Sequence, residues 1–132
     1  MTFDLIFDTP IPSKKNAQVE GTAKSGKKYR YYRRDVQKAL NDLEMQVPAY
    51  VRGLMLEHPK VEVFMTVPHD RADIDGMWTA LVDVLKKQRV IRDDNLRYFN
   101  GGVYLAPAVI ADYWQTVIKI EASPTIGLQE KE

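Results

Sequence analysis

The sequence predicts an α+β domain, with a single mixed β-sheet and two helices packed on one of its faces. The expected order is β-α-β-α-β plus a hairpin. Apolar and polar residues alternate near the start, middle and end of the chain, which is the period of a strand. Two stretches between them carry apolar residues three and four apart, which is the period of a helix. The 132 residues suffice for one domain with a proper core and are too few for two.

Phe3, Leu5 and Phe7 make residues 2–8 a first strand, which Pro10 and Pro12 end. Residues 13–28 (SKKNAQVEGTAKSGKK) are polar and aperiodic, so a long loop is expected there. From Tyr32 the apolar positions Val36, Leu40, Leu43 and Val47 form a helical stripe, terminated at Pro48. Val61, Val63, Met65 and Val67 make a second strand, closed by Pro68. Ile74, Met77, Trp78, Leu81, Val82 and Leu85 predict a second helix of about 14 residues. Val90–Arg92 reads as a short third strand. Asn100-Gly101-Gly102 is a turn signal between Leu96–Phe99 and Val103–Leu105, giving the hairpin. Trp114–Glu121 is the last strand. One domain over residues 1–123 follows, with 124–132 a polar tail expected to be disordered.

Composition excludes several classes of function. With 45% hydrophobic and 28% charged residues the chain belongs with soluble globular domains. No apolar run approaches the roughly 18–20 residues of a membrane span. The opening MTFDLIFDTP lacks a basic n-region, so no signal peptide is expected. The absence of cysteine removes disulfides, thiolate metal sites and cysteine nucleophiles, and fits a reducing cytoplasm. GTAKSGKK lacks the spacing of a Walker A loop and no strand is expected before it, so no nucleotide cofactor is expected. Ser13, Ser25 and Ser123 have no base in a recognisable motif, which leaves serine-nucleophile chemistry unsupported.

Charge is unevenly spread. The chain carries a net +1, yet residues 14–38 hold nine basic residues against two acidic ones, a local +7. The basic residues are Lys14, Lys15, Lys24, Lys27, Lys28, Arg30, Arg33, Arg34 and Lys38, with Tyr29, Tyr31 and Tyr32 among them. Such a block suits a polyanion, with phosphates for affinity and aromatic faces for exposed bases. The plainer alternative is a solvated loop and helix face.

The acidic residues of HDRADIDGMWTALVDVLKKQRVIRDDNL suggest chemistry. Asp73 and Asp75 precede the second helix, and Asp93 and Asp94 follow it. A helix over 76–87 travels about 18 Å at ~1.5 Å per residue. Residues 90–94 as a strand would return about 17 Å at ~3.3 Å per residue. A right-handed crossover would then bring the two pairs together at the carboxyl edge of the sheet. Converging carboxylates without Cys or His suit a hard ion such as Mg²⁺, with Mn²⁺ a substitute. Phosphate-ester chemistry is the commonest use of such a site. Alternatively, Asp73 is the N-cap of the second helix, Asp75 lies in its first turn, and Asp93-Asp94 are turn residues. His69 neighbours this loop and either touches a substrate phosphate or is a bystander. Trp78 and Trp114 lie on apolar stripes and are expected in the core.

The succession IPSKKN, a tyrosine- and arginine-rich helix start, DIDGMWTALVDVL and IRDDNL resembles the RusA family of Holliday-junction resolvases. The similarity spans nearly the whole chain, with its informative part about 25 residues long. The resemblance implies a homodimeric Mg²⁺-dependent endonuclease that resolves four-way DNA junctions by paired symmetric nicks. It makes Asp73, Asp75 and Asp94 the catalytic and metal-binding carboxylates, with Asp93 a further metal ligand. Arg71 joins the residues expected on DNA. Asp83 matches an acidic position of the family's helix. Gly76 replaces the family's Asn and Thr79 its Lys, a cation that would neutralise charge developing on phosphate. Arg71 and Arg92 are the expected stand-ins. A DNA-binding protein of the same fold without cleavage is the alternative.

Overall fold

The computed structural model describes residues 2–13, 18–70, 74–93 and 102–122. β1 (Thr2–Phe7), β4 (Lys60–Val67) and β7 (Gln115–Glu121) form the centre of a mixed sheet, with β5 (Val103–Leu105) and β6 (Val109–Ile110) at one side. β7 is antiparallel to both β1 and β4, in register from Phe7↔Thr116 and Thr66↔Gln115 to Thr2↔Glu121 and Lys60↔Glu121. β5 and β6 both run parallel to β4, at Val61↔Val103 and Thr66↔Val109. The fold is α+β, with two helices on one sheet face.

Period-2 alternation decides which face they cover. Leu5, Phe7, Val61, Val63, Met65, Val67, Ile118 and Ile120 are buried on the inner face. On the outer face Ile6, Val117 and Phe64 lie in register, Ile6 and Phe64 exposed, with Lys119 Nζ 5.7 Å from the Phe64 ring centroid.

α1 (Arg34–Met45) buries Val36, Leu40 and Leu43, positions that fall on one stripe of a 3.6-residue period. Arg52 ties down its C-terminal end, Nη2 donating to Glu44 O in the last turn and Nε to Val47 O just beyond it, each at 3.0 Å. Gln46 joins this end to β1: its Oε1 accepts from the Asp8 N–H at 2.8 Å, and its Nε2 donates to Thr9 Oγ1 at 2.7 Å.

α2 (Ile74–Lys87) buries Gly76, Met77, Ala80, Leu81, Val82, Val84 and Leu85, a wider arc than that of α1. It ends in a Schellman motif. Arg89 has φ 56°, its N–H donates to Lys86 O at 3.0 Å, and Val90 N–H donates to Leu85 O at 2.9 Å.

Three expectations change. Within 13–28, residues 14–17 lie outside the described residues, but the rest is no loop: β2 (Gln18–Thr22) and β3 (Lys28–Tyr32) form an antiparallel hairpin. Gly26 N–H donates to Ala23 O at 2.9 Å and Gly26 has φ 84°, so a type I turn with a left-handed glycine closes it. The expected third strand, Val90–Arg92, makes only a single parallel bridge, Leu56↔Ile91. Leu56 N–H donates to Val90 O and Arg92 N–H to Leu56 O, so this segment pairs with residues after α1 and not with the sheet. Val103–Leu105 is a strand, but its described partner is β4 in parallel; Leu96–Phe99 lies outside the described residues, as does the tail 124–132. No described helix is long and apolar enough to cross a membrane.

Candidate nucleic-acid interface and acidic edge

Six of the residues expected on DNA come together on the β2–β3 hairpin and the start of α1: Lys24, Lys27, Lys28, Arg30, Arg33 and Arg34. Lys14, Lys15 and Arg71 lie outside the described residues. The pairing Gly21↔Tyr29, Val19↔Tyr31, Glu20↔Arg30 and Thr22↔Lys28 sorts the hairpin into two faces. One face presents Tyr29 and Tyr31, with ring centroids 5.7 Å apart. The other presents Lys28 and Arg30. Both faces are solvated, so the hairpin carries no apolar alternation of the kind that marks a half-buried strand.

Two of the six cations are held by neighbouring carboxylates, Lys28 by Glu20 at 3.4 Å and Arg33 by Asp35 at 3.6 Å. These pairs are exposed, so a phosphate can compete for either cation at small cost. Lys24, Lys27, Arg30 and Arg34 have no ion-pair partner among the described residues. Arg33 is also the N-cap of α1 and gives no side-chain cap bond. Cations at the positive end of a helix dipole are unfavourable unless an anion is gathered there. Tyr32 differs from the other two tyrosines, being partly buried against the core.

The acidic residues sit at both ends of α2. Only six residues separate Val67 from Ile74, so α2 begins at the carboxyl edge of β4, and Asp75 lies in its first turn. Its side chain is exposed and has no ion-pair partner among the described residues, which leaves hard carboxylate oxygens available to a divalent cation. Asp8 and Asp112, which follow β1 and precede β7, share this sheet edge, a placement that only the strand order makes legible. Thr79 Oγ1 donates to Asp75 O at 2.9 Å, so this hydroxyl is turned into its own helix. His69 is edge-on to Trp114, with ring centroids 6.0 Å apart.

Asp93 is held differently. Its Oδ1 lies 3.6 Å from Lys86 Nζ, and Lys86 is eleven residues beyond Asp75 on α2. Those eleven residues correspond to about 16 Å of helix rise. Without the return strand, Asp93 pairs near the end of α2 and not beside Asp75. A cation at Asp93 would have to displace Lys86. Arg92, an expected stand-in for the missing lysine, is instead 3.3 Å from Glu57. Asp73 and Asp94 lie outside the described residues, and no group of three metal-ligating side chains occurs among the described ones.

A cleft of about 380 Å³ separates the helices, lined by Tyr32, Leu40, Glu44, Asp83, Lys86 and others. Asp83 therefore faces α1 and the base of the hairpin. Lys87 Nζ crosses to Glu44 Oε1 at 3.3 Å. No protein-family model matches the chain, and no curated protein matches it.

Proposed function

We propose that this protein is a Mg²⁺-dependent, structure-selective endonuclease that resolves four-way DNA junctions in recombination or repair. The observation that carries the reading is the hairpin, which gathers the basic block and two exposed tyrosines into one projecting element. Lys24, Lys27, Arg30 and Arg34 would hold phosphates without reading sequence. The likeness of DIDGMWTALVDVL and IRDDNL to RusA-type resolvases adds Asp73, Asp75 and Asp94 as metal ligands, while Asp93, held by Lys86, is left out of the set. A bound Mg²⁺ would supply an activated water and stabilise the leaving oxygen. Asp75 brings a carboxylate with no ion-pair partner among the described residues, carried in the first turn of α2. A four-way junction is roughly two-fold symmetric, and a C2 homodimer would offer it two such sites. The absence of cysteine agrees with a cytoplasmic setting.

One observation favours a second reading, branched-DNA binding without cleavage. Thr79 carries no charge, Lys86 pairs with Asp93 and Arg92 with Glu57, so neither of these two cations stands free beside Asp75. A labelled four-way junction incubated with Mg²⁺, with Mn²⁺ and with EDTA tests both. Paired nicks that need metal support the nuclease. Retention of an uncut junction supports the binder, and indifference to the junction excludes both.

A further inference from the structure

We propose that the Tyr29–Tyr31 face of the hairpin, with the groove leading from Tyr31 along α1, is a stacking site for unpaired nucleotides. This rests on the nucleic-acid reading and sharpens it, because it makes the preferred ligand a strand with exposed bases and not an intact duplex.

Four observations support it. Tyr29 and Tyr31 are 50% and 46% exposed, although both are large side chains on a short hairpin. Their rings are 5.7 Å apart and inclined by 37°, so they form a tilted pair and neither buries the other. Tyr29 lies across Gly21 of the facing strand: a Cβ there would stand 2.7 Å from the end of the Tyr29 ring, so the ring rests in space that the glycine leaves open and a larger residue would shift it. The platform is thus built from both strands. Finally, a groove of about 440 Å³ continues from Tyr31 past Tyr32, lined also by Arg34, Gln37, Lys38 and Asn41.

The chemistry of that groove is that of a nucleotide. A base has two π faces and meets aromatic rings at little cost in specificity. Its phosphate would meet Arg34, which has no ion-pair partner among the described residues, and Lys38, which an anion can share with Asp42 across an exposed 3.4 Å pair. Gln37 and Asn41 bond to each other at 2.9 Å and offer amide groups to a base edge. Lys24 and Lys27 at the hairpin turn extend the positive surface along the strand. The surroundings select a polyanion over an apolar protein partner: residues 18–34 carry six basic residues and one acidic one. Lys28 and Arg30 are left on the opposite face for duplex backbone.

The test measures binding of a labelled oligothymidylate and of a blunt duplex, both in EDTA so that cleavage plays no part. Tyr29→Leu with Tyr31→Leu should weaken oligothymidylate binding at least about fivefold, since each stacked ring contributes that much or more. Duplex binding should stay within about twofold. Gly21→Ala keeps both rings but lifts Tyr29 from its seat, and should weaken the single strand selectively as well. Tyr29→Phe with Tyr31→Phe should restore it. Photocrosslinking of the unaltered protein to an iodouracil-substituted strand should map to Tyr29 or Tyr31. Crosslinks confined to other residues, or equal loss of duplex and single-strand binding in the leucine variant, would overturn the proposal. A protein that binds the duplex but not the single strand would also overturn it while sparing the nucleic-acid reading. Binding to neither would remove both.

Discussion

Asp75 and Thr79 occupy successive turns of α2, joined through the bond from the Thr79 hydroxyl to the Asp75 carbonyl. The Asp75 carboxylate itself remains unpaired among the described residues. Asp75→Asn keeps the volume, removes a metal-ligand charge and lessens repulsion of phosphate. It should abolish junction cleavage while affinity is kept or raised, as single-turnover rates and gel-shift titrations would read. Undiminished cleavage would remove Asp75 from the catalytic set. Thr79→Lys removes the hydroxyl bond to the Asp75 carbonyl and places a cation one turn from the carboxylate. If phosphate is gathered there, cleavage should accelerate, by as much as about 10²–10³. An unchanged rate would favour the binding-only reading. A third residue concerns stability alone. Thr116 is fully buried on the inner face of β7 and its Oγ1 has no hydrogen-bond partner among the described residues. Thr116→Val replaces that hydroxyl with a methyl of similar shape and should raise the unfolding free energy by about 1 kcal/mol. A loss of that size in urea titration would show the hydroxyl to be bonded.

At the scale of elements, the hairpin divides its cations between free and paired. Lys27→Ala, Lys28→Ala and Arg30→Ala together should weaken junction binding and flatten its dependence on salt. Each lost phosphate contact lowers the log–log slope by about 0.9 on duplex arms. Lys28 is shared with Glu20 across an exposed pair that a phosphate can displace at small cost, so all three cations should contribute to the change. A slope that does not move would make the hairpin a solvated surface. The hairpin itself was hidden in the sequence because neither of its faces is buried, so only its turn residues could have announced it. By contrast β1, β4, β7 and both helices were legible, since each buries one face and its period shows which: Val61, Val63, Met65 and Val67 alternate, and Val36, Leu40 and Leu43 do not. Val90 and Ile91 misled for a physical reason. They are β-branched and fully buried, as strand residues are, yet their burial comes from the Schellman turn and the Leu56 bridge.

Across the whole molecule, the acidic residues follow from how far α2 carries the chain. The sheet order places Asp8, Asp75 and Asp112 at one edge, whereas Asp93 is tied to Lys86 toward the other end of α2. The candidate site was therefore legible as residue types but only in part as geometry. Asp75 lies at the expected edge, the matched return of Asp93 does not occur, and Asp73 and Asp94 fall outside the described residues. The basic side is more complete, because the hairpin joins α1 beside the cleft that holds Asp83 and Lys86. The most direct measurement follows a four-way junction labelled on each strand in turn, with Mg²⁺ and with EDTA. A metal-dependent resolvase will leave nicks placed symmetrically on two opposed strands, and none in EDTA. Firm junction binding with no nick under any metal would contradict the nuclease and leave a branched-DNA-binding protein of the same fold.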